Sequence, residues 1–194
     1  MARRIIVAGL LGGVAMFAWS SIAHMVLPLG EAGIREIPNE GELLGAMQAK
    51  LGAQSGFYMF PAMDREGDRS AAMAAYSQKV AANPSGLLIY HPPGGQTLTP
   101  GRLVTELLTE VAEALLLAWL LAQTRLTGYG AKLGFAAVCG VMAALATNIS
   151  YWNWYGFPGS YTAAYMTTQV VGFAAAGLVI GRLLLKPGEL RTAQ

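Results

Sequence analysis

Four long apolar runs constrain this chain more than any other feature of its sequence. They cover residues 5–27, 107–126, 133–150 and 165–185, and each is roughly 18 to 23 residues long. At about 1.5 Å per residue, a helix of this length crosses the hydrocarbon core of a bilayer, which is about 30 Å thick. Only 12 % of the residues are charged, about half the share in a typical soluble domain. The sequence therefore predicts an integral membrane protein.

The predicted fold is an all-α transmembrane protein, a four-helix membrane bundle with a small α+β extracytoplasmic cap between helices 1 and 2. The predicted segments are transmembrane helix 1 at 1–27, the cap at 28–101, transmembrane helix 2 at 102–126, transmembrane helix 3 at 133–150, transmembrane helix 4 at 160–185 and a cytoplasmic tail at 186–194. Thr99 and Pro100 have the residue types of an N-cap and a first helical position. We expect the second helix to begin there and to continue into the membrane.

Within the cap, the pattern predicts two helices and two short strands. Asn39, followed three residues later by Glu42, is typical of an N-cap with its reciprocal glutamate, and this helix should run to about Gln54. A second helix is predicted at 69–82, and the strands are predicted at 56–60 and 86–90. Two strands separated by a helix favour a βαβ-like or an α+β arrangement.

Basic residues near the ends of the apolar runs predict the orientation of the chain. With the N-terminus inside, the cytoplasmic parts hold Arg3, Arg4, Arg125, Lys132, Arg182, Lys186 and Arg191. Segment 28–101 holds five basic and seven acidic residues. The first run resembles a secretion signal, but it is longer than a typical signal and favours an uncleaved anchor. We expect a multi-pass protein of the cell membrane, of the bacterial inner-membrane type, with both termini cytoplasmic.

Three glutamates of predicted helix 2 are the main candidates for chemistry. Glu106, Glu110 and Glu113 are spaced four and three residues apart, which places them on one face of a helix. A charged side chain at the bilayer centre costs about 2.5–3.5 kcal/mol on insertion scales, so this face should point to the bundle interior. If Leu107 marks the outer boundary, Glu110 lies about 5 Å deep and Glu113 about 9 Å deep.

The other helices offer polar groups that we expect at the same level. The candidate cation- or proton-binding residues are Glu106, Glu110, Glu113, His24, Asn148 and Gln169. Carboxylates with an imidazole suit zinc, iron or manganese. They equally suit a proton relay, because closely placed carboxylates cannot all be ionised. The sequence leaves the metal and any cofactor open, and the structural alternative is that the glutamates pair with groups of the cap, beginning with Arg102.

Small residues at four-residue spacing on the first and fourth apolar runs predict close helix contacts. They are Gly9, Gly13, Gly172, Ala176, Gly177 and Gly181. These contacts could lie within the bundle, with a membrane-protein partner or with a second copy of the chain. The lipid bilayer is the other expected partner, and a net charge of +2 gives no indication of nucleic-acid binding.

Three functions are compatible with these features. The first is a small accessory or scaffold component of the membrane. The alternative is a cation- or proton-binding membrane protein that uses the outward-facing glutamate and histidine site. The second alternative is a membrane enzyme acting on a lipid or periplasmic substrate, with Glu110 and His24 as acid and base. The sequence contains no P-loop, HExxH or GxSxG motif. Of the three functions, an enzyme is therefore the one that we expect least.

Overall fold

The computed structural model describes residues 1–64 and 66–185. The described chain is mostly helical, with one small two-stranded sheet. Its elements are α1 (Ala2–Met25), α2 (Gly41–Leu51), β1 (Gly56–Phe60), α3 (Arg69–Ala82), β2 (Gly86–Tyr90), α4 (Pro100–Gln123), α5 (Tyr129–Ala144), a π-helical segment (Leu145–Ile149), α6 (Ser150–Tyr155) and α7 (Gly159–Leu183). The predicted tail at 186–194 lies outside the described residues.

Two compact units make up the chain. The helical unit consists of Met1–Ile34 and the described part of Leu98–Gln194, and the small unit consists of Arg35–Thr97. Three helices of the helical unit are long and apolar enough to cross a membrane: α1, the continuous helix Tyr129–Tyr155, and α7. This agrees with a membrane protein. Helix α4 has a similar length, but its three glutamates distinguish it from the other three.

The long helices pack side by side in antiparallel pairs. Helix α1 packs along both α4 and α7, and α5 packs along α7, whereas α4 and α5 touch only slightly. The closeness of α1 and α4 depends on glycine, because a methyl group at Gly13 would lie 2.5 Å from the Cα atom of Val111. All four helices contribute to one apolar core, which includes Ala8, Leu117, Ala136 and Ile180.

The two ends of the helical unit differ in their contacts. We call the end where α1 ends and α4 and α7 begin the distal end, and the opposite end the proximal end. At the proximal end, the Nη2 group of Arg4 donates hydrogen bonds to the carbonyl oxygens of Leu183 and Leu185, at 2.7 and 2.8 Å. These bonds satisfy carbonyl groups that the end of α7 leaves without helical partners.

The third apolar run forms a longer helix than the predicted 133–150. It begins at Tyr129 and continues through the π-helical segment and α6 to Tyr155. Gly156 then adopts a φ of 70°, a left-handed conformation that ends the helix. Because the helix begins earlier than predicted, Lys132 falls in its first turn and is buried rather than lying beyond the helix end.

The small unit matches the predicted strands and the second predicted helix. Strands β1 and β2 pair antiparallel, with Gly56 opposite Tyr90, so the α+β alternative is correct and the βαβ-like one is wrong. The side chain of Asp68 caps α3 by accepting a 2.9 Å hydrogen bond from the backbone nitrogen of Ala71. The predicted cap at Asn39 is wrong: this residue has a φ of 53°, and α2 begins only at Gly41.

Candidate ligand-binding cleft

Helix α4 carries the three glutamates into the middle of the helical unit. The Thr99 hydroxyl caps this helix by accepting a hydrogen bond from the backbone nitrogen of Arg102 at 3.3 Å. Glu110 therefore lies ten residues after Pro100, about 15 Å along the helix. Its neighbour Val111 faces Gly13, at the midpoint of α1. Helix α4 begins at Pro100, as predicted, so its first two turns precede Leu107, and the depth of the glutamates in the membrane stays a prediction.

Glu110 is the most enclosed of the three carboxylates. Its side chain is 8 % exposed, and its Oε2 atom has no hydrogen-bond partner among the described residues. The Ser20 hydroxyl of α1 faces the same carboxylate and also lies 3.2 Å from the carbonyl oxygen of Phe17. A hydroxyl has one proton to donate, so Ser20 can donate to only one of these acceptors at a time.

The charges around Glu110 are mainly negative. Glu106 and Glu113 repel a negative charge on Glu110, whereas the Ser20 hydroxyl and a protonated His24 stabilise it. Glu113 is half-buried and Glu106 is exposed. A buried anion without a balancing cation is costly in a low-dielectric interior, so this group of side chains favours the arrival of positive charge.

A cavity of about 540 Å³ opens beside these carboxylates in the helical unit. Helices α1, α4 and α7 line it, and we call it the cleft. Its polar lining consists of Ser20, Ser21, His24, Glu106, Thr109, Glu110, Glu113, Tyr165, Thr168 and Gln169. Its apolar lining consists of Met16, Phe17, Trp19, Met25, Leu98, Leu103, Gly172 and Phe173. The cleft is therefore an apolar cavity with carboxylates on one wall.

His24 lies near the distal end of the cleft. Its Nδ1 atom is 2.8 Å from the carbonyl oxygen of Ser20. Because a carbonyl oxygen only accepts, Nδ1 carries the proton and Nε2 is left to accept from, or donate to, another group. The imidazole also meets the ring of Tyr165 edge-on at 5.7 Å, and Tyr165 stacks on Tyr161 at 4.4 Å. These contacts hold an exposed histidine at the mouth of the cleft.

Asn148 lies outside the cleft and contacts one of its lining residues, Gln169. It is buried in the π-helical segment, and its Nδ2 atom donates to the Oε1 atom of Gln169 at 2.6 Å and to the carbonyl oxygen of Ala144 at 3.0 Å. Gln169 lines the cleft, whereas Asn148 does not. A π-helical turn rotates side chains out of the regular helical register, and here it contains the asparagine that meets Gln169.

The cleft does not have the geometry of a metal centre. Within residues 1–64 and 66–185, no three histidine, cysteine, aspartate or glutamate side chains are grouped so that they could hold a metal ion. Zinc sites in proteins use at least three such ligands. The arrangement is better suited to a proton or to an organic cation, for which one or two carboxylates are sufficient.

Five of the six residues selected from the sequence line this one cleft. The sixth, Asn148, does not line it but contacts Gln169, which does. The sequence reasoning missed the apolar walls, chiefly Met16, Trp19 and Phe173. A signal for two of them was present: Met16 precedes Ser20 by four residues, and Phe173 follows Gln169 by four. Residues four apart share a helix face, so the polar positions also marked their apolar neighbours.

Comparison with protein-family models, with curated proteins and with solved structures finds no match to this chain.

Proposed function

We propose that this protein is a multi-pass membrane protein that binds a positively charged ligand in the cleft. The observation that carries the proposal is the state of Glu110. Its carboxylate is almost fully buried, one of its oxygens has no partner among the described residues, and two further carboxylates adjoin it. A ligand cation would satisfy the open oxygen and reduce the repulsion between the three carboxylates.

The order of the helices supports four membrane crossings. Helix α1 runs from the proximal to the distal end, and α5 starts again at the proximal end, where Lys132 lies beside Gly181 of α7. The chain therefore returns from the distal to the proximal end between Met25 and Tyr129, and α4 makes this return alongside α1. This path and the flanking basic residues support our proposal of four spans, with the small unit outside and both termini cytoplasmic.

Binding is better supported than transport across the membrane. The apolar core beyond the cleft contains Leu117, Leu121 and Ile180, and these side chains offer no hydrogen bonds to an ion. Ion pathways through membrane proteins are marked by ionisable or other polar groups that replace the water around the ion. In the proposed orientation the cleft opens at the outer side and ends at this core, so we assign it to the capture or sensing of a ligand.

The accessory or scaffold role receives less support. One of the features that favour it is the glycine-lined faces, and helices of the same chain cover these faces. A methyl group at Gly9 would lie 2.8 Å from the Cα atom of Leu115, and one at Gly177 would lie 2.5 Å from the Cβ atom of Ala136. Association with a membrane-protein partner or a second copy stays a prediction.

The binding proposal is tested with the purified full chain in a neutral maltoside detergent. Methylammonium, tetramethylammonium and benzylammonium are titrated calorimetrically against the wild type, Glu110→Gln and Glu42→Gln. Glu42 is an exposed glutamate of the small unit and serves as the matched control. At least one cation should bind the wild type and the control, and Glu110→Gln should weaken that binding about tenfold or more, as expected for loss of a charged hydrogen bond. Binding of none of the three, or equal binding to Glu110→Gln, would overturn the proposal.

A further inference from the structure

The size and lining of the cleft carry information about the ligand beyond its charge. Binding cavities for drug-sized molecules measure about 300–1,000 Å³, and the cleft has about 540 Å³. An inorganic cation would fill a small part of this volume and would leave the apolar walls without contacts. These walls include Met16, Phe17 and Phe173, which would pack favourably against a hydrocarbon part of the ligand.

Trp19 contributes an apolar surface in spite of its polar nitrogen. The indole Nε1 group donates a 2.9 Å hydrogen bond to the carbonyl oxygen of Thr168. The only donor of this side chain is therefore already engaged. What remains for a ligand is the indole ring, which favours hydrocarbon and can also attract a cation to its face.

The charged groups of the cleft favour a ligand that has no negatively charged group. Three glutamates and one histidine line it, and its described lining includes no lysine or arginine. A phosphate or carboxylate on the ligand would meet the glutamates without a strong positive partner. A zwitterionic phospholipid head group is disfavoured for this reason, as is any amino acid.

The positions of these groups along the helices suggest how the ligand is oriented. Glu110 lies near the middle of α4, whereas Leu98 precedes this helix and Met25 ends α1, both at the distal end. The buried carboxylate of Glu110 therefore lies deeper in the cleft than Leu98 and Met25, which lie with His24 at its mouth. A ligand that enters with its cationic group first would leave its hydrocarbon part between these apolar residues.

We infer, resting on the proposed function, that the ligand is a hydrophobic amine: an organic cation with a single ammonium group that pairs with Glu110 and a hydrocarbon body that packs against Trp19 and Phe173. The ammonium group donates hydrogen bonds to the buried carboxylate. The body fills the part of the cleft that an inorganic ion leaves empty. Both parts contribute to affinity, so each can be removed separately.

The test is a titration series that varies the body at constant charge. Methylammonium, benzylammonium and 4-phenylbutylammonium are titrated calorimetrically against the full chain in a neutral maltoside detergent, with protein-free micelles as background. Each buried methylene strengthens binding about fourfold, so 4-phenylbutylammonium, with three more methylenes and a phenyl ring, should bind at least thirtyfold more tightly than methylammonium. The uncharged 4-phenylbutanol should bind at least tenfold more weakly than the matching amine. Phosphatidylethanolamine added to the micelles should not compete.

Variants separate the two parts of the ligand. Leu103→Ala changes an apolar wall residue that is 42 % exposed, so the fold should tolerate it, and Phe173→Ala changes the opposite wall. Both should reduce binding of 4-phenylbutylammonium about fivefold or more and leave methylammonium unaffected. Where Phe173→Ala does not fold, Leu103→Ala and the wild-type series decide the question.

The outcomes distinguish this inference from the proposal on which it rests. Amine binding that is unchanged in Glu110→Gln would overturn both. Binding that depends on Glu110 but is equal for methylammonium and 4-phenylbutylammonium would overturn only the inference of a hydrophobic body. Binding of the alcohol as tight as that of the amine, or competition by phosphatidylethanolamine, would also overturn the inferred ligand class.

Discussion

The amide nitrogen of Asn148 donates a 2.6 Å hydrogen bond to the amide oxygen of Gln169. This bond joins the π-helical segment to α7, and it fixes which end of the Gln169 amide is the acceptor. Asn148 is buried, and its second hydrogen bond goes to the carbonyl oxygen of Ala144. The wall of the cleft is therefore held by Asn148, which does not itself line the cleft.

Replacing Asn148 by alanine should lower stability and loosen this wall. Interhelical hydrogen bonds in membrane proteins contribute about 0.6 kcal/mol on average and at most about 1.7, and a loss in this range is expected from thermal unfolding in detergent. Thr147→Ala is the control, because Thr147 is exposed on the same turn. Equal stability of the Asn148→Ala variant and the wild type would show that the pair contributes nothing to the packing of α5 on α7.

Gly13 and Gly134 make a matched pair for testing the contact between α1 and α4. A methyl group at Gly13 would lie 2.5 Å from the Cα atom of Val111, whereas one at Gly134 would meet nothing within 4 Å. Backbone atoms cannot move aside without separating the helices, so Gly13→Ala should destabilise the protein by about 1–3 kcal/mol. Gly134→Ala should raise stability by up to about 1 kcal/mol, because alanine favours the helix. Thermal unfolding of the two variants in detergent compares them, and equal behaviour would contradict the close packing of α1 on α4.

The proposed topology can be tested by thiol labelling in intact cells. With Cys139 replaced by alanine, a cysteine at the exposed position Ser70 of the small unit should react with a membrane-impermeant maleimide. A cysteine at Arg125, between α4 and α5, should react only after the cells are permeabilised. Labelling at Arg125 in intact cells, with protection at Ser70, would reverse the orientation.

The sequence predicted the elements of this chain better than their ends. Both strands and α3 follow from local signals: apolar runs bounded by glycine and proline, and a helix that stops before Asn83 and Pro84. Asn39 failed as a cap because asparagine also tolerates the left-handed conformation, and tertiary context selects between the two uses. The extension of the third helix to Tyr155 was missed, since an aromatic-rich segment is equally compatible with an interfacial loop.

The sequence selected five residues that line the cleft, but it did not predict the geometry of the cleft. Helical spacing was enough to place Glu106, Glu110 and Glu113 on one face, and that prediction needs no tertiary information. The pairing of Asn148 with Gln169 depends on a π-helical turn, which has no reliable sequence signal. The depth of Glu110 depends on where α4 begins relative to α1, and only the packing of the two helices determines that.

Glu110 provides the last prediction, which concerns stability without ligand. Its carboxylate is 8 % exposed, with one oxygen lacking a partner among the described residues. Leucine has a comparable volume and no polar group to desolvate, so Glu110→Leu should raise the stability of the ligand-free protein. Burial of a polar group without a partner costs about 1–3 kcal/mol in mutational data, and a gain of this size is expected from thermal unfolding in detergent.

The control variant is Glu42→Leu, at an exposed position of the small unit, which should change stability by less than about 0.5 kcal/mol. At a functional site, a residue that serves binding is expected to lower the stability of the fold. A loss of stability in Glu110→Leu would instead assign this glutamate to the fold, through its contact with Ser20, and would remove the main argument for a binding site in the cleft.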